Sequence, residues 1–232
     1  MIVLEQLRSK LTSAAVFRGI PAVDLAPTFA QIRVRNYRDG DPVFSRGDVG
    51  DAAFLVLSGL VQAGTLGTNA KRVMVEIFKE GEMVGELAAI DGSPRTADAV
   101  AIGRVALAHF PASAFQDLLH RSPPFCTNLL HLAIVRLRRT YSLFEDASLS
   151  DLEHRLAKQV LYLMALGAAG ERRVRILSRF HQGDLADLLG ATPRSIINIL
   201  NKWRDDGLAT FDGRTAQLTI LDLERFTALT RR

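Results

Sequence analysis

The chain has a single cysteine, Cys126, in 232 residues. One thiol closes no disulfide framework and supplies no cysteine-ligated zinc or iron–sulfur site within one chain. Long apolar runs are also missing: none reaches the roughly 20 residues that a membrane-spanning helix needs. The first residues carry Glu5 and no apolar h-region, so no signal peptide is expected. No internal repeat or low-complexity stretch stands out. The histidines, His109, His120, His131, His154 and His181, are scattered. Residues 32–110 lack the clustered histidines and carboxylates that a cupin-like enzyme sets on its strands. These absences predict a soluble, cytoplasmic protein with no metal and no enzymatic activity.

What is present fills an ordinary core. Hydrophobic residues make up 48% of the chain and charged residues 23%, a normal balance for a folded protein. The length allows one large domain or two ordinary ones. The net charge of +4 is unevenly spread: residues 1–150 carry 16 Lys/Arg against 15 Asp/Glu, and residues 151–232 carry 13 against 10. A basic excess in the smaller part permits nucleic-acid binding without establishing it.

Residues 1–31 read as short helices. From Ile32 the grammar changes to short strand-like runs (Val43-Phe44, 53–57, 73–78, 105–110). Turn signals separate them at Asp39-Gly40, Arg46-Gly47-Asp48, Ser58-Gly59, Leu66-Gly67, Glu80-Gly81 and Asp91-Gly92. Even spacing of this kind argues for an antiparallel sandwich or barrel, and about eight strands over residues 32–110 suit a jelly roll. Pro111 ends the last strand and residues 115–119 form a short helix.

A long helix is expected over residues 123–147, opened by Ser122 as N-cap and prolines in its first turn. Leu130, Ile134, Leu137, Tyr141 and Phe144 recur at spacings of 4, 3, 4 and 3, the seam of a coiled coil. A second apolar set (Leu129, Leu132, Val135, Leu143) lies off that seam. Two readings stand: the seam meets the same helix of a second copy, or the helix is buried all round in its own core. Residues 145–151 are polar and form the hinge.

Beyond it, Asp151 caps a helix from Leu152 to about Leu166, closed by Gly167 and Gly170. A strand at 173–177, helices at 182–189 and 193–205, and a hairpin at 209–220 turning on Asp212-Gly213 follow. The fold class is therefore α+β. Its parts are an N-terminal β jelly roll sensor (1–122), a long dimerisation helix and hinge (123–150) and a C-terminal winged helix-turn-helix (151–232).

The run from Val84 to Ala97 (VGELAAIDGSPRTA) carries ligand chemistry. Glycine lets backbone N–H groups approach an anion closely. Arginine offers a planar fork to phosphate oxygens, and a nearby carboxylate can accept from a sugar hydroxyl. A sugar joined to one phosphate satisfies all three; a buried Glu86–Arg95 ion pair under a loop is the alternative.

Gly-Glu-Leu-Ala, seven residues, then Arg-Thr-Ala resembles the phosphate-binding cassette of cyclic-nucleotide-binding domains. That resemblance implies a jelly roll followed by a long helix. It gives the ribose 2′-hydroxyl to Glu86 and the cyclic phosphate to Arg95 and Thr96, with the chain around Gly85 and Leu87 contributing. The long helix resembles the one that closes the pocket in CRP/FNR-type regulators. The family's base-contacting threonine then falls on Thr140, whose hydroxyl could instead bond back to a helix carbonyl. Where that family's cAMP receptor has a serine reaching across from the other subunit, this chain has Tyr141. The effector implied is a cyclic nucleotide, cAMP or cGMP; haem-bound gas or a cyclic dinucleotide are alternatives.

Residues 184–200 have helix-turn-helix form. Gly190 makes the turn, Thr192 caps the second helix with Pro193 at N1, and Ile196 and Leu200 anchor it inward. Arg194, Ser195, Asn198 and Lys202 are left for DNA, with Arg214 at the tip of the wing. Arginine and asparagine suit base edges, hydroxyls and lysine suit phosphates. A winged helix used for protein contact is the alternative. The domain order resembles the CRP/FNR family over nearly the whole chain and implies double-stranded DNA with a palindromic operator, a second copy of the chain and RNA polymerase as partners. A membrane is not among them. Pro193, Arg194 and Asn198 stand where the family's usual base-reading set lies, so its familiar operator is not expected.

Overall fold

The computed structural model describes residues 4–66, 72–166, 182–214 and 217–231. The chain divides into two compact units, Met1–Thr65 with Val75–Arg138 and Leu66–Met74 with Arg139–Arg232.

In the first unit, helices α1 (Leu4–Ser13) and α2 (Ala22–Phe29) precede a six-stranded sheet. Its strands are β1 (Arg33–Tyr37), β2 (Pro42–Phe44), β3 (Ala52–Leu66, in this unit to Thr65), β4 (Arg72–Phe78, in this unit from Val75), β5 (Met83–Val84) and β6 (Asp98–Pro111). The order is β1-β6-β3-β4, with β2 also on β6 and β5 on β3. β6 runs antiparallel to β1, β2 and β3.

Both faces of the sheet are buried where β3 runs from Ala52 to Leu57, a stretch that is apolar without a break. Successive strand residues point to opposite faces. Ala53, Leu55 and Leu57 pack with Phe17, Leu25, Phe110, Phe115 and Phe125 under the helices. Ala52, Phe54 and Val56 pack with Val61, Phe78, Val84 and Leu107 inside the roll.

Among the described residues there are six strands rather than about eight. The Ser58-Gly59 pair expected as a turn is a bulge inside β3, where the β3–β6 register shifts around Ser58. Gly59 has φ +81°, and a Cβ there would lie 2.4 Å from the Arg104 carbonyl oxygen. Only glycine fits that backbone. Asp91-Gly92 likewise ends a short helix, α3 (Glu86–Asp91), instead of joining two strands.

Helix α4 (Ala112–Arg121) leads to the long helix α5 (Pro123–Leu149), two residues longer than expected. Ser122 Oγ accepts from Phe125 N at 3.4 Å, as the N-cap reading requires. Phe125 and Leu129 enter the core, and Asn128 donates to the carbonyls of Val16 (3.0 Å) and Arg18 (2.9 Å). The seam does not enter it. Leu130, Ile134, Leu137, Tyr141 and Phe144 are all exposed within the chain, Phe144 by 72%. A helix buried all round in its own chain is thereby excluded.

In the second unit, Lys158 on α6 (Leu152–Leu166) donates to both carboxylate oxygens of Asp146 on α5, at 2.7 and 3.0 Å. Asp151 caps α6 by accepting from His154 N at 2.8 Å. Then come α7 (Gln182–Leu189), α8 (Pro193–Asp205), β7 (Ala209–Asp212), β8 (Gln217–Ile220) and α9 (Leu223–Ala228). β7 and β8 pair antiparallel. Trp203 and Phe226 meet edge to face in the core at 4.8 Å. Helix α9 was not foreseen. Gly167, Gly170, His181 and the expected strand at 173–177 lie outside the described residues.

Candidate effector and nucleic-acid sites

The cassette builds on two glycines. Gly85 sits at φ +71°, and a Cβ there would come 2.7 Å from Arg95 Nη1 and 2.9 Å from the Phe44 ring. At Gly50, a Cβ would meet that of Ala88 at 2.4 Å. Backbone therefore closes on α3 and on the arginine where side chains would hold them apart.

Arg95 is turned into the roll, 3% exposed. Its Nη1 donates to the Gly85 carbonyl and its Nη2 to the Ala52 carbonyl, both at 2.6 Å. The guanidinium lies over the Phe44 ring at 4.4 Å, with the exposed Asp51 carboxylate 3.6 Å away. Its Nε is buried with no hydrogen-bond partner among the described residues. Burial, opposed by Asp51, Asp48 and Glu86, lowers its pKa, and an arginine in a protein keeps its charge.

Glu86 opens α3 and is 4% exposed. Its partner is Arg136 of α5 rather than Arg95, so the two cassette residues form no ion pair with each other. Arg136 also donates to the Met83 carbonyl and lies over the Phe78 ring at 4.8 Å. Burial raises the Glu86 carboxyl above the ordinary carboxylate value, with Arg136 pulling the other way. Leu87 and Thr96 are exposed on the cassette surface. Thr140 is an exposed residue of α5, in the second unit.

Arg136 was missed in the sequence, although a signal existed. It stands four residues before Thr140, one helical turn away on the same face. Phe44 and Asp51 carry no comparable mark, because only the folded sheet brings them to Arg95.

The second site follows the expected helices closely. Gly190, at φ +61°, closes α7, with Ala191 N donating to the Ala186 carbonyl at 2.9 Å. Thr192 Oγ1 accepts from Ser195 N at 3.2 Å, capping α8. Ile196, Leu200 and Trp203 face inward. Thr192, Arg194, Asn198 and Lys202 are exposed, and Ser195 is half-buried. Thr192 and Ser195 are engaged with each other through their hydroxyls at 2.9 Å. Lys202 donates to Glu153 on α6 at 2.6 Å, while Trp203 Nε1 donates to the other oxygen of that carboxylate at 2.9 Å. Glu153 thus fastens α8 to α6, a role invisible without the tertiary contact. Arg214 is exposed at the hairpin turn, its backbone N–H on Asp212 at 2.9 Å.

Comparison with known proteins gives two family matches. The cyclic nucleotide-binding domain matches residues 34–122, and the Crp-like helix-turn-helix domain matches residues 154–229. The chain is 27% identical over 216 residues to the CRP-like cAMP-activated global transcriptional regulator of Mycobacterium tuberculosis, covering 93% of this chain and 96% of that one. Its fold is similar to that of a crp/fnr-family transcriptional regulator from Eubacterium rectale (TM-score 0.75, 17% identity, 94% of this chain and 98% of that one). It is also similar to the c-di-GMP-responsive global regulator of Xanthomonas campestris (TM-score 0.72, 20% identity, 87% and 100%).

Proposed function

The chain belongs to the CRP/FNR family of DNA-binding transcriptional regulators and carries a cyclic nucleotide-binding domain; from that premise we propose that it acts as a homodimer whose affinity for DNA is set by a cAMP-like cyclic nucleotide. The cassette geometry carries this reading. A buried guanidinium is locked by two carbonyls beside a backbone too close for any side chain, with its Nε unpaired among the described residues. A buried carboxylate follows one residue after that glycine. Phosphate and a sugar hydroxyl are the complements of these two groups.

In this reading Arg95, with Thr96 and the backbone of Gly85 and Leu87, holds the phosphate and Glu86 the ribose. Thr140 contacts the base by resemblance. The exposed seam of Leu130, Ile134, Leu137, Tyr141 and Phe144 meets its counterpart in a second copy. Five exposed large apolar side chains along one stripe support that partner, since single exposed apolar residues need none but contiguous ones do. Arg194, Ser195, Asn198, Lys202 and Arg214 face a palindromic operator, and RNA polymerase is the further partner. The domain limits proposed remain 1–122, 123–150 and 151–232.

Calorimetry of the ligand-stripped protein against cAMP, cGMP and cyclic di-GMP tests the effector. Saturable binding of a mononucleotide supports the proposal; binding of the dinucleotide alone, or of none, contradicts it.

A further inference from the structure

Outside the cassette motif, one side chain grips its helix from behind. Gln116, half-buried on α4, donates from Nε2 to the carbonyls of Ala89 (2.6 Å) and Ile90 (2.7 Å). These are two of the last carbonyls of α3, which has no following turn to satisfy them. α3 is also packed closely on Gly50, where an added Cβ would lie 2.4 Å from that of Ala88. The helix that begins with Glu86 is therefore held by both a glycine contact and an amide. α4 in turn carries Phe115 and Leu118 into the core that also holds Phe125 and Leu129 of α5.

We propose that Gln116 is a positioning residue of the effector site: by holding the C-terminal end of α3 it fixes the depth at which Glu86 meets its ligand. This rests on the cyclic-nucleotide reading of the cassette. The side chain touches neither Glu86 nor Arg95 and acts through the helix between them. Both bonds need a donor, so the requirement is chemical as well as steric. A carboxylate of the same shape cannot donate and would face two carbonyl oxygens. An ammonium can donate, and its charge suits a helix C-terminus.

The test compares full-length wild type with Gln116→Leu, Gln116→Glu and Gln116→Lys, reading cAMP affinity by calorimetry and amide exchange over residues 86–92 without ligand. Gln116→Leu and Gln116→Glu are expected to exchange faster across α3 and to raise Kd about tenfold, the scale of two lost hydrogen bonds partly transmitted. Gln116→Lys is expected to return both readouts close to wild type, a rescue that mere packing would not give. Unchanged exchange in Gln116→Leu, a Kd within about twofold of wild type, or a Gln116→Lys as weak as Gln116→Leu would overturn the proposal. Wild type that binds neither cAMP nor cGMP would overturn the effector reading first and this inference with it.

Discussion

Glu86 and Arg136 are joined as an ion pair that ties the cassette helix α3 to the long helix α5. A carboxylate expected to serve a ligand is thus also the anchor of the helix expected to serve a partner. The pair makes the site sensitive to anything that changes the charge on Glu86.

That sensitivity has a sign. Burial raises the Glu86 carboxyl above its ordinary 4.5, with Arg136 and Arg95 pulling it down. A raised folded value means the native protein holds the proton more tightly than the unfolded chain. Its contribution to stability is full below the unfolded value and is lost as pH rises through the folded one. Glu82, raised by burial as well, acts in the same direction. Ligand binding runs the other way, because a sugar hydroxyl donates to the ionised carboxylate. Affinity for cAMP is therefore expected to fall on acidification at a higher pH than an ordinary carboxylate would cause. Glu86→Gln is expected to bind weakly and without that dependence. Parallel calorimetric titrations of the two proteins across the acid range decide it.

Arg95 carries the phosphate in this account. Arg95→Lys keeps a charge but loses the planar fork, and is expected to cost about 1.5–3 kcal/mol of cAMP binding. Arg95→Ala also strands the carbonyls of Gly85 and Ala52 and is expected to lower stability. Calorimetry on the lysine variant separates the two effects; unchanged affinity would remove Arg95 from the site.

The seam is tested by Ile134→Asp. An unpaired charge in a buried interface costs several kcal/mol, so the variant is expected to sediment as a monomer where wild type sediments as a dimer. A wild type that is monomeric at micromolar concentration, with and without cAMP, would contradict the seam.

Glu153 predicts a stability effect in the second unit. Glu153→Leu leaves the fully buried Trp203 indole N–H without its acceptor and frees Lys202. The expected loss is about 1–3 kcal/mol. Trp203 is the single tryptophan of the chain, so denaturant unfolding followed by its fluorescence reads the effect where it arises.

How much could be read in advance follows from where each signal is stored. α7 ends and α8 begins on local chemistry, Gly190 and Thr192-Pro193, and those two limits were legible to the residue. The long helix was legible from its cap and spacing, and the exposure of Leu130 and Phe144 separates the seam reading from the buried one. Strand count was not legible, because a glycine that makes a turn and a glycine that makes a bulge look alike until the partner strand is known. Gly59 is the case in point. In the cassette, Glu86 and Arg95 stood out by motif and Arg136 was marked only by its place one turn before Thr140, while Glu153 and Gln116 matter only through contacts tens of residues away in sequence.

The proposed function requires the ligand and DNA sites to be coupled. A duplex selected by the protein from a randomised pool provides the operator probe, and its dissociation constant is measured at one fixed salt concentration with and without saturating cAMP. Two recognition helices enter successive major grooves on one DNA face only when about 34–36 Å apart. A ligand favouring that arrangement shifts the population by its differential affinity for the two states. Operator binding is expected to be tighter with cAMP by about 5–150-fold, and identical constants in the two conditions would rule the coupling out.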